Sequence, residues 1–424
     1  MNILHIYKDY FPVLGGIENH IRVLAEASAA RGHDVAALVT SLDRRTRVET
    51  SNGVKLVKAG RWIDVSSAPV SPAMFAWARK LGRSADIVHL HFPYPPGETA
   101  HLFSGSRAKT VITYHSDIVR QRNLLRLYRP LLWRVLRKAD RIIATSPNYV
   151  DTSPFLSQVR DKCTVVPPGA DVERFSSVDA ARVAALRDRL THHQAGPILL
   201  SVGRLRYYKG IDTLLRALPA LPHARCVIVG SGPMDTEWRA LAASLDVADR
   251  AIFAGDVSDA DLPLYYHAAD LYVLPASARA EAFGVALVEA MAAGLPCVTA
   301  EVGSGTSWVV QDGVTGLVVP PRDPAALAQA ITSLLGEEQR RRQMGQAAAA
   351  RARAEFDERV MIDRIMTVYQ SLIRRLALTI WECCFSGVMY NCAHARVDHG
   401  RRRLHRLAPG RARAARRVAG AGAG

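Results

Sequence analysis

Two carboxylates that could bind a sugar nucleotide stand eight positions apart, Glu281 and Glu289, around a Phe283-Gly284 pair that predicts the start of a helix. The first N–H groups of a helix have no partner within it and its dipole favours anions, so a diphosphate would bind near Phe283, Gly284 and Val285. At about 1.5 Å per residue, Glu289 lies about one and a half turns into this helix, within reach of a ribose diol. Glu281 stays in the preceding loop, where it can accept hydrogen bonds from sugar hydroxyls. The alternative is a solvated acidic pair beside an ordinary helix.

A second polar segment follows an apolar run over residues 198–202 that predicts a strand. The strand ends at Gly203 and delivers Arg204 and Lys209 to the next loop. Two cations placed there can neutralise a departing diphosphate through charge-assisted hydrogen bonds. Found alone, such a basic loop is more often simply solvated.

Together these segments resemble the retaining GT-B glycosyltransferases of family 4, and the resemblance extends over about residues 1–374. Five further motifs carry it: an N-terminal glycine loop, a histidine segment, a hinge and two glycine turns. They read Gly15-Gly16-Ile17-Glu18, Tyr114-His115-Ser116-Asp117, Val165-Val-Pro-Pro-Gly-Ala-Asp171, Val229-Gly-Ser-Gly-Pro233 and Asp312-Gly-Val-Thr-Gly316. Within the family, the Gly303-Ser-Gly-Thr-Ser segment is similar to that of exopolysaccharide and O-antigen mannosyltransferases.

The resemblance implies roles for residues that spacing alone does not assign. Gly15 and Gly16 would allow close backbone approach to the donor, and Gly230 would lie near its base. His115 would hydrogen-bond a sugar hydroxyl and help to stabilise the developing oxocarbenium charge. With Arg204 and Lys209 taking the role of a metal, the resemblance implies retaining transfer without a metal or other cofactor.

A formal D-x-D motif, Asp259-Ala-Asp261, is typical of metal-dependent transferases. It follows Ser258, and either Ser258 or Asp259 is a natural N-cap for a helix leading to Ala269. We therefore expect a helix start there and no metal site.

The elements that must position these residues form two series. Short apolar runs alternate with helical patterns through residues 1–165, and the alternation restarts at residue 197, which predicts two parallel sheets. The expected fold is α/β, with two Rossmann-like domains facing a cleft. We predict an N-terminal acceptor-binding domain over 1–170, a linker or hinge over 171–196, a nucleotide-sugar-binding domain over 197–355, a crossover helix over 356–374 and a basic, disordered tail over 375–424. Ligands bind at the carboxyl ends of strands in such folds.

Composition sets limits on the location of the protein. The sequence begins directly with a strand pattern and has no run of about 18 uncharged apolar residues, so neither a signal peptide nor a spanning helix is expected. The six cysteines have no paired or zinc-type spacing, which favours a reducing cytoplasm.

The net charge of +16 lies mainly in residues 1–170 and in the tail. Residues 118–139 combine seven cations with leucines and no acid. Such a stretch suits anionic lipid headgroups, and it equally suits a core-facing helix with an arginine-rich solvent face. The Arg-rich tail could bind anionic lipid or nucleic acid, or have no role; nucleic acid is not an expected partner of the protein as a whole.

From the sequence we expect a hexosyltransferase that moves mannose from GDP-mannose to a lipid-linked or glycan acceptor at the inner face of the cell membrane. Three alternatives remain at this point: a UDP-sugar-dependent transferase of the same fold, a sugar-nucleotide epimerase or phosphorylase, and a non-catalytic protein that binds polyanions or sugar nucleotides.

Overall fold

The structure is a computed structural model that describes residues 1–13, 15–65, 68–118, 122–193 and 196–385, with no side-chain description at 122–123 or beyond 374. Met1–Ile373 form one compact unit that contains both large sheets.

The strands are β1 Asn2–Ile6, β2 Asp34–Thr40, β3 Arg47–Ser51, β4 Val54–Ala59, β5 Ile63–Val65, β6 Ala68–Val70, β7 Ile87–Phe92, β8 Lys109–Tyr114, β9 Arg141–Ala144, β10 Cys163–Val165, β11 Ile198–Val202, β12 Arg225–Val229, β13 Ala251–Gly255, β14 Leu271–Leu274, β15 Cys297–Ala300 and β16 Gly316–Val319. The α-helices are α1 Gly16–Ala30, α2 Pro72–Gly82, α3 Pro95–Leu102, α4 Arg122–Lys138, α5 Pro147–Thr152, α6 Val172–Ser176, α7 Ala180–Thr191, α8 Ile211–Ala217, α9 Asp235–Ser244, α10 Leu262–Ala268, α11 Val285–Ala292, α12 Thr306–Val309, α13 Pro324–Gly336, α14 Glu338–Glu355 and α15 Glu358–Phe385.

The first large sheet has eight strands in the order β10-β9-β8-β7-β1-β2-β4-β3, and the second has six in the order β13-β12-β11-β14-β15-β16. All pairs are parallel except β3 with β4, while β5 and β6 form a separate antiparallel hairpin. The order of strands reverses between β1 and β7 in the first sheet and between β11 and β14 in the second. Ligands of open parallel sheets bind beyond the carboxyl ends of the strands at such reversals. The predicted α/β class with two parallel sheets is confirmed.

Apolar side chains pack on both faces of each sheet, as parallel strands require. One core cluster covers the first sheet, and two others cover the two faces of the second sheet. Helix α15 contributes Met361, Ile365 and Tyr369 to the first cluster, although it follows the second sheet in sequence.

Two segments differ from the sequence-based boundaries. Residues 171–196, predicted as a linker, contain α6 and α7, and Phe175, Leu186 and Leu190 pack in a core of the second sheet. Helix α15 continues to Phe385, past the predicted end of the crossover helix at residue 374. Residues 386–424, which make up most of the predicted tail, lie outside the described residues.

Candidate active site

Most of the sequence-predicted site residues follow strands that lie beside a reversal of strand order, whereas His115 follows β8 and Gly230 follows β12. Gly15 and Gly16 follow β1, while Arg204 and Lys209 follow β11. The Glu281 segment follows β14, the neighbour of β11 across the reversal. Ala282 packs against the core cluster of the first sheet, so this segment lies at the boundary between the two sheets.

The central polar contact of the site is an ion pair between Lys209 and Glu281. Lys209 Nζ lies 2.9 Å from Glu281 Oε2, and both side chains are at most 13% exposed. Burial alone would lower the pKa of Lys209, but the charge of Glu281 and its hydrogen bond outweigh burial and raise it. The two residues expected to bind the diphosphate and the sugar are therefore adjacent, and Lys209 carries a positive charge.

Glycines allow the loops around this pair to approach closely. Gly203 has φ 136° and a Cβ at this position would lie 3.0 Å from Lys209 Nζ, while Gly230 has φ 120° and its Cβ would meet Gly203 O at 2.4 Å. The Gly203 N–H donates to Val229 O at 2.9 Å, which ties the two loops together. Arg204 is exposed beside them. A side chain at Gly230 would therefore displace the backbone of Gly203, and one at Gly203 would crowd the Lys209 side chain.

The Phe-Gly pair directly precedes α11, as predicted, and the phenyl ring, for which no role was predicted, lies in the core. Gly284 is the N-cap, with φ 82°, and Val285 is the first helical residue. The Phe283 side chain is only 4% exposed and packs against Trp308 and Phe356. The ring belongs to the core because the turn at Gly284 directs it inward, so donor contact through the Phe283 side chain is ruled out in this conformation and only its backbone can serve.

Glu289 has a partner that the sequence did not indicate. The Tyr266 hydroxyl donates to Glu289 Oε2 at 2.6 Å from α10. Burial raises the pKa of Glu289, while this hydrogen bond, together with Arg174 and Lys209, opposes that rise. The phenol fixes one carboxylate oxygen, and the other can accept a ligand hydroxyl.

The N-terminal glycine loop lies against a buried carboxylate. Glu18, in the first turn of α1, is 7% exposed, and its Oε2 would lie 2.1 Å from a Cβ at Gly15. Gly16 meets nothing within 4 Å. Burial raises the pKa of Glu18, and the charge of Arg204 is among those that oppose the rise. Glu18 from the first half and Arg204 from the second therefore lie within each other's electrostatic range.

His115, at the end of β8, is buried within a group of histidines. Its Nε2 lies 3.2 Å from His91 Nδ1, and the His20 ring meets it edge-on with 5.1 Å between centroids. Burial, followed by the charge of His20, lowers the pKa of His115 well below its ordinary value. His115 is thus a neutral imidazole near pH 7. Nothing in the sequence indicates this group of histidines except that His89 and His91 alternate on a single strand.

The site contains a second ion pair, which the sequence did not predict, and this one joins the N-terminal and C-terminal halves. Arg279 Nη2 lies 3.0 Å from Asp117 Oδ2, and Arg279 Nη1 donates to Gly303 O at 2.6 Å. The same guanidinium covers the Tyr149 ring at 4.9 Å. Thr152 from the first half also donates to Gly303 O at 2.7 Å. These contacts hold the histidine segment beside the Glu281 loop.

The D-x-D motif lies at the start of α10. Asp261, rather than Ser258 or Asp259, is the N-cap, because the Ser258 hydroxyl accepts the Asp261 N–H at 3.1 Å and closes a turn before the helix. Arg182 pairs with Asp261 Oδ1 at 2.7 Å. The Asp261 carboxylate is therefore engaged by an arginine and by Ser258, which donates to it at 2.7 Å.

Two family descriptions match this chain in consecutive halves. "Glycosyltransferase Family 4" matches residues 14–174, and "Glycosyl transferases group 1" matches residues 183–351. Among curated proteins, D-rhamnosyltransferase WbpZ of Pseudomonas aeruginosa is 40% identical over 358 residues, covering 84% of this chain and 92% of that protein. O-antigen chain mannosyltransferase C of Escherichia coli is 35% identical over 376 residues, covering 88% of this chain and 99% of that protein.

Solved structures share the fold. Sucrose-phosphate synthase from Thermosynechococcus elongatus superposes with a TM-score of 0.73 at 26% identity, covering 88% of this chain and 99% of that one. Anabaena HepE in complex with UDP-glucose has a TM-score of 0.71 at 21% identity, with 88% of this chain and 100% of that one covered. The fold is the two-domain arrangement of these transferases.

Proposed function

The chain belongs to the family 4 glycosyltransferases, and from that membership we propose that it transfers mannose from GDP-mannose, with retention, to a lipid-linked or glycan acceptor in cell-surface polysaccharide or glycolipid synthesis. The relatives named as a mannosyltransferase and a D-rhamnosyltransferase support this choice of sugar. D-Rhamnose is 6-deoxy-D-mannose, so both sugars have an axial hydroxyl at C2. A UDP-sugar donor is the alternative within the same fold.

The observation that carries the proposal is the buried Lys209–Glu281 pair beside the start of α11. An ammonium group has three N–H donors, so Lys209 can bind Glu281 and still donate to a diphosphate. Arg204 and the free N–H groups of α11 add positive potential at the same point. Glu281 accepts a hydroxyl of the transferred sugar, and Glu289 accepts the ribose diol.

In the proposed reaction, the bond between C1 of the sugar and the diphosphate oxygen breaks, and the acceptor oxygen bonds to C1 on the same face. The acceptor proton passes to the departing phosphate oxygen. Lys209 and Arg204 stabilise the negative charge that develops on the diphosphate, and His115 hydrogen-bonds a sugar hydroxyl. The chain needs no metal for these steps in this proposal.

The test begins with calorimetric binding of GDP, UDP and ADP to the full chain without added metal. Mass spectrometry then follows hydrolysis of GDP-mannose, GDP-D-rhamnose and UDP-glucose. We expect GDP to bind most tightly and GDP-mannose to be turned over. A preference for UDP would overturn the donor, and absence of nucleotide binding would favour the non-catalytic alternative.

Variants test the site assignment. Lys209→Ala and Glu281→Gln should each lower turnover by about 100-fold or more, the usual cost of removing a group that stabilises transition-state charge. Lys109→Ala is the matched control, because Lys109 pairs with Asp140 at 3.0 Å at the opposite end of the first sheet. Normal turnover in the Lys209 and Glu281 variants would refute the assignment.

We also propose that α4 contacts an anionic membrane surface. Its Leu132 and Leu136 are buried in the first core, whereas Leu127 is 80% exposed, and Arg126 and Arg134 of the same helix are also exposed. The buried leucines fit a core-facing helix, and the exposed leucine and arginines fit contact with anionic lipid, so the two interpretations are compatible. Leu127→Ser with Arg126→Ser should reduce co-sedimentation with phosphatidylglycerol vesicles and leave soluble turnover unchanged; equal sedimentation would refute this contact.

Among the described helices, none is long and apolar enough to cross a membrane. The residues at 119–121, which include part of the predicted basic stretch, lie outside the description.

A further inference from the structure

Three imidazoles converge beside the N-terminal glycine loop. His91 lies on β7, His115 directly follows β8, and His20 lies on α1. One ring nitrogen of each lies within 4.8 Å of a ring nitrogen of the other two. None of the roles proposed above for the transfer reaction uses His20 or His91.

The spacing of two of these nitrogens suits tetrahedral coordination. His91 Nδ1 and His115 Nε2 are 3.2 Å apart. Zn²⁺ bonds to histidine nitrogen are about 2.0–2.1 Å long, so two ligands on a tetrahedron are about 3.3–3.4 Å apart. Small ring rotations would therefore place one ion between both nitrogens.

His20 is the observation that points to a missing ligand. Both of its ring nitrogens are sealed from solvent and have no hydrogen-bond partner among the described residues. Its ring stands edge-on to both others, 5.1 Å from His115 and 5.8 Å from His91 between centroids. A buried polar group without a partner is costly and calls for an explanation, which a bound ligand would supply.

The protonation state suits a cation. Burial lowers the pKa of His20 to about 4 and holds those of His91 and His115 well below their ordinary values, so all three rings are neutral near pH 7. Neutral imidazole is the form that binds metals. His91 Nε2 lies 3.1 Å from His5 Nδ1, so the N–H of a metal-bound His91 would have an outer acceptor.

In a neighbouring triad, His5, His89 and His91, one ring nitrogen of each residue also lies within 4.8 Å of the others. There, however, His89 already uses both nitrogens, with Tyr369 Oη at 2.5 Å and Thr113 Oγ1 at 2.7 Å. Both nitrogens of His89 therefore already have hydrogen-bond partners within the protein. Because the nitrogens of His20 have none among the described residues, the His20 triad is the one that points to a metal ion.

We propose that His20, His91 and His115 bind one divalent transition-metal ion of the Zn²⁺ type. Three nitrogen ligands suit Zn²⁺, Co²⁺ and Ni²⁺ rather than Mg²⁺ or Ca²⁺, which prefer oxygen. The ion takes the His115 nitrogen, so it competes with the donor sugar; this consequence rests on the proposed function. Metal binding at this site is therefore inhibitory, unlike the activating metal of D-x-D transferases.

The test is a titration of the untagged full chain with Co²⁺, followed by visible absorption, and with Zn²⁺ in competition with a chromophoric chelator. We expect one ion per chain and the intense visible bands of tetrahedral Co²⁺. His20→Asn and His91→Asn should each weaken binding at least about tenfold. His192→Ala with His193→Ala, a pair of adjacent exposed histidines, is the control for surface binding and should leave the affinity unchanged.

Absence of Co²⁺ bands in the unmodified chain would overturn the proposal, as would a loss of binding only in the His192/His193 variant. The His20 variant keeps the test valid if the His91 variant misfolds, and thermal melting checks the folding of both. Metal binding without turnover of any sugar nucleotide would count against the proposed function alone. Turnover that is unaffected by Zn²⁺, in a chain that binds no metal, would count against this inference alone.

Discussion

The hydrogen bond from Tyr266 favours the ionised form of Glu289. The carboxylate is buried, which favours its protonated form, and the 2.6 Å hydrogen bond from Tyr266 favours the charged form. An ionised carboxylate accepts ligand hydroxyls better than a protonated one. Tyr266 therefore acts on nucleotide binding through Glu289, as a positioning residue.

Replacing Tyr266 by phenylalanine removes only this hydroxyl. We expect Tyr266→Phe to weaken nucleotide binding by about tenfold, since a hydrogen bond to a charged group contributes roughly 1.5–3 kcal/mol and part of it is recovered by solvent. Calorimetry with GDP measures the change. Tyr265→Phe, one position earlier on α10, is the control, and equal affinities for the two variants would contradict the role.

At the scale of single residues, spacing predicted the type of group but not its partner. Glu281, Glu289 and Lys209 were found because the Phe-Gly turn and the strand end mark their local positions. Tyr266 could not be found, because its contact with Glu289 depends on how α10 packs on α11. Arg279 meets Asp117 across 162 positions of sequence, and no local pattern encodes such a pair.

At the scale of elements, the glycine turns hold the cationic loop close to the strand ends. Gly210 has φ 72°, and a Cβ there would meet the Pro275 carbonyl oxygen at 1.8 Å. This contact joins the loop after β11 to the loop after β14. It fixes the backbone next to Lys209.

We expect Gly210→Ala to lower the free energy of unfolding by about 2–4 kcal/mol and turnover by about tenfold, because the clash must displace the loop. Gly313→Ala is matched in conformation, with φ 73° and no atom within 4 Å, so it introduces only the backbone strain of about 1–2 kcal/mol. Urea denaturation and sugar-nucleotide turnover measure both. Equal losses in the two variants would show that strain, rather than the contact with Pro275, matters.

Most strands of the large sheets were predicted from apolar runs, and the family resemblance itself is confirmed. Strands β3, β5 and β6 were missed because their residues are exposed or half-buried for the most part and lack an apolar run. Strand β4 was missed as well, because Lys55 and Lys58 interrupt its buried apolar residues. The burial of Phe283 was not predicted, because helix-start signals locate the backbone of the turn but do not tell which way the neighbouring ring points. The segment at 171–196 read as a linker because its polar residues outnumber the few apolar side chains that dock α6 and α7.

At the scale of the whole molecule, Asp117 and Arg279 connect the two halves in the present arrangement. Asp117 also accepts hydrogen bonds from Tyr114 and Ser153, both at 2.8 Å, so its carboxylate is held in place before Arg279 arrives. A pre-positioned carboxylate makes the contact specific. The pair stabilises the arrangement in which the histidine segment faces the Glu281 loop.

We expect Arg279→Ala to lower kcat/KM for the sugar nucleotide by about tenfold, or about 1.4 kcal/mol, because the halves lose a partly buried ion pair. Small-angle scattering should record a larger radius of gyration. Arg160→Ala, which removes an exposed pair with Asp151 inside the first half, should change neither quantity. An Arg279 variant that matches this control would contradict a role for the pair in holding the halves together.

The return of α15 to the first core imposes an order on biosynthesis. A ribosome completes every strand of both sheets before it makes Met361, Ile365 and Tyr369, which belong inside the earlier sheet's core. The N-terminal half therefore leaves the ribosome with a gap in its apolar interior, and its folding is completed only when synthesis is nearly finished. A nonsense mutation just before residue 361 would thus damage the part of the protein that was made first.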